Sequence, residues 1–350
     1  MMAKKWNIVF FVAGVLIFSY MIYAIGVDII WENIRKTGWW FLPVIGIWFV
    51  VYIINTLAWN VIVRDKSDST VTCYPSFLKM LKITISGYCI NYITPVVALG
   101  GEPYRISQIQ EYLGTGKATS KVLSYSMMHI LSHIVFWMSS IVLILCLYWL
   151  KLSWVLTLGM SITFAVFALA LYMVFRGYRK GLLAKTFRIL ERIPLINKSV
   201  RRFSEHRSQT FKEIDQNIVN LYTCRRPVFF QALALEFLAR VVSCLELIFI
   251  AKGSLIDINM LEAIVLYAGS TLFANIMFFS PMQIGTREVG LESTILIMGF
   301  DPGLGVNTGV IMRIRELFWI GAGLLLMRIK FRQTLQRNTE KPKAESGGRI

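Results

Sequence analysis

Acidic residues, histidine and paired cysteine are all scarce in this chain of 350 residues, and each shortage excludes something. Asp and Glu number 20 against 37 Lys and Arg, a net charge of +17. That charge is concentrated in two polar segments, which suits an anionic lipid surface better than nucleic acid, for which no motif is present. The histidines are His129, His133 and His206 alone, and there is neither an Asp-x-Asp pair nor a nucleotide-binding glycine loop. Metal- and nucleotide-dependent transfer therefore lacks its usual ligands, and no cofactor is expected. The five cysteines (Cys73, Cys89, Cys146, Cys224 and Cys244) show no paired spacing, so neither a disulfide framework nor a zinc site is indicated.

What the chain has in abundance is apolar sequence. At 56 % hydrophobic residues and a mean hydropathy of +0.59, it reads as an all-α polytopic membrane protein with no sizeable soluble domain. The apolar run that follows Lys4 and Lys5 reaches Ile25, too long for a signal peptide and long enough for a first span. Further spans are expected from Trp39 to Val63, from Val122 to Leu150, up to Phe175, from Val228 to Ala251 and from about Val306 to Met327. Segment 176–227 interrupts the pattern with 13 Lys/Arg against 4 Asp/Glu and apolar residues in helical register. It reads as a cytoplasmic amphipathic connector able to rest on an anionic leaflet. The tail 329–350 is basic, polar and expected to be disordered.

Two stretches break the apolar pattern. Asn91 to Arg105 sets Pro95, the Gly100–Gly101 pair, Pro103, Glu102 and Arg105 between membrane-like flanks, and Asn275 to Glu292 sets Pro281, Gly285, Arg287 and Glu288 likewise. Proline removes a backbone donor and turns its predecessor away from the helical region, so a helix must stop at each. Glu102 follows Pro95 by seven positions, as Glu288 follows Pro281. Broken backbone inside a bilayer is tolerated where it is buried in protein or lines a wet cavity, and paired breaks in two halves point to a transport site. Two surface loops are the plainer alternative.

The expected architecture is six full transmembrane helices plus two re-entrant broken hairpins, 77–113 and 260–300, in a weak inverted repeat. The first half is 1–175 and the second 228–328. Loop charges put both termini and the connector in the cytoplasm. Glu236 and Arg240, four apart in the fifth span, are expected to pair. Arg313 and Glu316 share a face of the last span and are expected to join Arg287 and Glu288, with Glu236–Arg240 as further neighbours. Arg315, on another face, is expected to snorkel. His129 and His133 lie one turn apart; without a third ligand they read as interior polar residues rather than a metal site.

The residues Pro95, Gly101, Glu102 and Arg105, with Pro281, Gly285, Thr286, Arg287 and Glu288, resemble the lysylphosphatidylglycerol synthase/flippase-like transmembrane family of bacterial and archaeal membrane proteins, over nearly the whole chain to about residue 330. The resemblance implies translocation of a phospholipid, possibly aminoacylated, in a cytoplasmic membrane, and places Glu102, Arg105, Arg287 and Glu288 on the family's motif positions. Two departures stand out. Pro281-Met282-Gln283 replaces a common Pro-Gly-Gly, and a unit without the aminoacyl-transferase domain of fused members is expected.

A flippase or transporter that moves a phospholipid or a polyprenyl-phosphate-type lipid between leaflets is the resulting expectation. Asn91, Asn275, Glu236, Arg240, Arg313 and Glu316 accompany the four motif residues as candidate substrate contacts, and the partner is a lipid with an anionic or aminoacylated head group. A membrane-embedded transferase acting on a lipid phosphate, or a non-catalytic partner of such an enzyme, is the alternative.

Overall fold

The computed structural model describes residues 15–16, 18–20, 22–23, 26–64, 71, 73–94, 100–148, 152–178, 216, 219–276, 286–300 and 303–329. Both proline-bearing tips, most of the first apolar run, almost all of the basic connector and the tail lie outside the described residues. The described residues are helical, with no strand among them.

The order is α1 (Val27–Thr37), a 3-10 turn (Gly38–Trp40), α2 (Phe41–Val63), α3 (Phe77–Ile93), α4 (Gly101–Leu113), α5 (Thr115–Tyr148), α6 (Trp154–Tyr178), α7 (Arg226–Ser243), α8 (Leu245–Gly253), α9 (Met260–Ile276), α10 (Thr286–Met298) and α11 (Gly303–Arg328). Local chemistry sets the ends. Ser76 caps α3 by accepting from the Lys79 N–H, and α3 stops at Thr94, extended as a residue before proline should be. Asn259 and Glu262 form a reciprocal capping box at the start of α9. The chain belongs in a membrane: the runs Val27–Val63, Thr115–Tyr148 and Trp154–Arg176 are long and apolar enough to cross one. Where spans were expected over 228–251 and 306–327, the helices carry charges, and the first is interrupted at Cys244, giving α7 and α8.

Two antiparallel helix pairs occupy the places of the expected hairpins. In the first, the Gly101 N–H donates to Asn91 Oδ1 near the tip and the Lys79 ammonium donates to the Tyr112 hydroxyl at the base. In the second, Ser270 Oγ donates to the Arg287 carbonyl, and α9 and α10 touch through glycine. The pairs match in length: α3 and α9 have 17 residues each, α4 and α10 have 13.

The packing repeats under exchange of α2 with α7–α8, α3 with α9, α4 with α10 and α5 with α11. Thus α3 packs on α11 as α9 packs on α5; α4 on α5 as α10 on α11; α2 on α3 as α8 on α9; and α2 on α5 as α8 on α11. The exchange inverts direction. Arg225, at the start of α7, donates to the carbonyl of Arg64 at the end of α2, while Trp40, before α2, stacks on Phe249 of α8. Each hairpin therefore leans on the long helix of the opposite half, so the halves are interlocked. The hairpins do not pack along each other's length among the described residues.

Gly290 shows how tightly the second pair is closed. A Cβ there would stand 2.6 Å from Phe273 Cβ and 2.8 Å from the Gly269 carbonyl oxygen. Gly290→Val is expected to lower the stability of the solubilised protein by about 1–3 kcal/mol, the range for overpacking a close contact, read as a fall in melting temperature in detergent. An unchanged melt would mean that the helices separate freely.

Candidate functional site

The first polar cluster is built where α4 meets α5 and α3. Arg105 points inward from the second turn of α4 with its side chain 3 % exposed. Gly87 of α3 makes the room, since a Cβ there would stand 2.6 Å from Arg105 Nε. Aromatic rings enclose the guanidinium, with Cζ 4.9 Å from the Tyr88 ring centre, 5.3 Å from Tyr125 and 6.0 Å from Trp59. Its polar satisfaction is poor. Nη1 reaches Glu102 Oε1 at only 3.5 Å, while Nε, Nη2 and the indole N–H of Trp59 are buried without a hydrogen-bond partner. Glu102 also accepts from Ser126 Oγ at 3.3 Å, and its Oε2 is unpartnered. Asn91 is used structurally, through the bond from Gly101.

Beside it, at the crossing of α5 and α7, His129 Nδ1 lies 2.8 Å from Glu236 Oε2. The Tyr88 hydroxyl is 3.2 Å from the same nitrogen, 3.1 Å from the Tyr125 hydroxyl and 3.2 Å from Asn55 Nδ2. Arg240 approaches Glu236 at 3.9 Å and donates to Ser132 Oγ and the His129 carbonyl. An apolar groove of about 500 Å³ lies farther along the same helices, lined by Phe136 and Leu143 of α5, Phe237 and Val241 of α7, and Ile264 of α9.

The second cluster joins α10 to α11. Arg313 Nε donates to Glu288 at 3.0 Å and its Nη1 to Glu316 at 3.1 Å, and Arg287 pairs with Glu316. The expected joining of Arg313 to Arg287 and Glu288 is thus present. Asn275 is exposed and its amide donates back to the Thr271 carbonyl of its own helix.

Two expectations are corrected. Glu236 and Arg240 bond to His129 and Ser132 of α5 rather than to Arg313, because α7 packs on α2 and α5. Arg315 does not snorkel. It is fully buried, with Nε donating to Glu246 Oε1 at 2.7 Å and Nη2 to Oε2 at 3.1 Å, and Trp48 supplies both an indole N–H to that carboxylate at 2.8 Å and a ring 3.9 Å from the guanidinium. Trp59, Tyr88, Tyr125, Ser126 and Glu246 were not singled out as site residues. Aromatics in apolar spans carry no distinguishing mark in one sequence, but unmatched charges in two spans, Glu246 and Arg315, were a signal for pairing.

Residues 7–323 match the family described as the lysylphosphatidylglycerol synthase TM region, and the chain belongs to that family. A membrane, lipid-related role follows from membership. No curated protein and no solved structure matches the chain.

Proposed function

We propose that this protein moves a lipid with an anionic phosphate head group between leaflets, and that Arg105 is the phosphate contact. The observation that carries the reading is a buried guanidinium with two nitrogens unpartnered, beside the ring of Trp59, whose indole N–H is unpartnered too. Protein interiors rarely leave such donors unmet, and an uncompensated buried charge costs several kcal/mol, about 3–5 when a buried partner is removed. A phosphate answers both needs, because its oxygens accept from a planar fork and its charge offsets the arginine. The apolar groove starting at Phe136 and Phe237 then takes an acyl or prenyl chain. Arg313, Arg287, Glu288 and Glu316 supply the related site of the other half.

In this reading the helix pairs are re-entrant. At 1.5 Å per residue, helices of 17 and 13 residues extend roughly 25 and 20 Å, short of the roughly 30 Å hydrocarbon core. The first opens from the cytoplasmic side and the second from outside, as the inversion of the packing requires if both termini and the basic connector are cytoplasmic. Six spans complete the fold, and the connector rests on the anionic leaflet.

The test is reconstitution into phosphatidylcholine vesicles carrying a trace of fluorescent phosphatidylglycerol, with no acyl or sugar donor present. Dithionite is expected to quench nearly all of the label in protein-containing vesicles, against the outer half in protein-free ones. Quenching of the outer half alone, across phosphatidylglycerol, phosphatidic acid and a polyprenyl phosphate, would overturn the reading.

A further inference from the structure

We propose that the His129–Glu236 pair is a proton site coupled to the anion site at Arg105, so that one proton is taken up with each lipid phosphate and released with it. The inference rests on the phosphate reading of Arg105.

Two of the buried acid–base contacts among the described residues differ in a telling way. Glu246–Arg315 is sealed, with both side chains 0 % exposed and both carboxylate oxygens bonded. Such a pair locks helices together. His129–Glu236 joins a histidine 28 % exposed to a carboxylate 1 % exposed, and Glu236 Oε1 has no hydrogen-bond partner. That is an entry for protons on one side and a fixed negative charge on the other. Ionisable side chains inside membrane bundles mark substrate and ion pathways and proton relays.

The groups around the pair decide what a proton does there. From α3 comes Tyr88; from α4, Arg105 and Glu102; from α5, Tyr125 and His133; from α7, Arg240; from α2, the neutral amide Asn55. Arg105 and Arg240 offset Glu102 and Glu236, so the cluster is neutral when His129 is neutral. In that state Nδ1 carries the hydrogen toward Glu236 Oε2, which leaves Nε2 as the basic nitrogen. A proton from water adds to Nε2, giving an imidazolium held by the Glu236 carboxylate and a cluster with one net positive charge. One phosphate negative charge restores neutrality. Tyr88 links the sites, its ring face against the Arg105 guanidinium and its hydroxyl oxygen 3.2 Å from His129 Nδ1. Reciprocity then requires the proton to strengthen phosphate binding by the factor with which phosphate strengthens proton binding. On release the proton leaves Nε2 for the other aqueous phase, and a proton gradient becomes a driving force for lipid movement.

The experiment uses the same vesicles with fluorescent phosphatidylglycerol, potassium and valinomycin on both sides to hold the potential at zero, and a pH step of either sign. Wild type is expected to move lipid faster toward the alkaline compartment than against it, by up to about tenfold for a step of one pH unit, the ratio that one coupled proton supplies. His129→Gln, which keeps a donor for Glu236 but takes no proton, is expected to move lipid at rates independent of the sign of the step. Movement by wild type that ignores the gradient would overturn the proton coupling and leave the flippase reading standing. Absence of any movement would overturn the phosphate reading and the coupling with it. A directional response persisting in monodisperse His129→Gln would remove the proton from this pair.

Discussion

Arg315→Met is expected to be the most destabilising single change in the protein, with a loss of about 3–5 kcal/mol, while Arg315→Met combined with Glu246→Leu recovers most of it. The reason lies in what is left behind. Removing the arginine strands a carboxylate that is 0 % exposed and has no water to turn to. Removing both charges replaces an expensive desolvated pair with apolar contact, and the residual cost is roughly 1 kcal/mol for the Trp48 N–H that loses its acceptor. Thermal unfolding in detergent, followed by fluorescence-detected gel filtration, reads the difference. As a control, Lys36→Ala breaks an ion pair whose side chains are 67 % and 63 % exposed, and no measurable change is expected. If the Arg315 variant melts with the control, the pair does not hold α8 to α11.

Arg105→Met is expected to do the opposite: lipid movement falls roughly 10–100-fold, the range for losing one or two hydrogen bonds to a charged group, while the melting temperature holds or rises. Arg105 spends its charge on a single 3.5 Å contact, and Glu102 keeps Ser126 and partial exposure when the arginine is gone. Little of the fold therefore depends on it. Arg105→Lys is expected to lose most of the movement too, since an ammonium does not reproduce the fork and fits poorly among three rings. Trp59→Phe keeps the ring but removes the indole donor, and a partial loss is expected there. A variant that transports normally would move the phosphate contact to the Arg287–Arg313 cluster.

These two arginines are both buried, one in the short polar helix α4 and the other in α11. What separates them is the partner: one meets a carboxylate 69 positions away in perfect register, the other meets aromatic faces and an acid three positions along its own helix. No periodicity within a helix carries that information, because it depends on which helices cross and at what depth.

Much was nonetheless legible along the chain. The helical, membrane character follows from apolar runs that only an internally bonded backbone can carry through lipid. The end of α3 at Thr94 follows from Pro95, and the association of Arg313 with Glu288 and Glu316 follows from helical spacing and the closeness of α10 to α11 in sequence. Family membership rests on the match over residues 7–323. The tertiary structure alone decided the rest. It brought Glu236 to His129 and Glu246 to Arg315, it laid each hairpin on the opposite half's long helix, and it set Tyr88 of α3 between Arg105 and His129. Short-range spacing governs which side chains share a face of one helix. Which faces meet is settled by packing and by the need of every buried charge to find a partner, and those partners lie tens to hundreds of residues away.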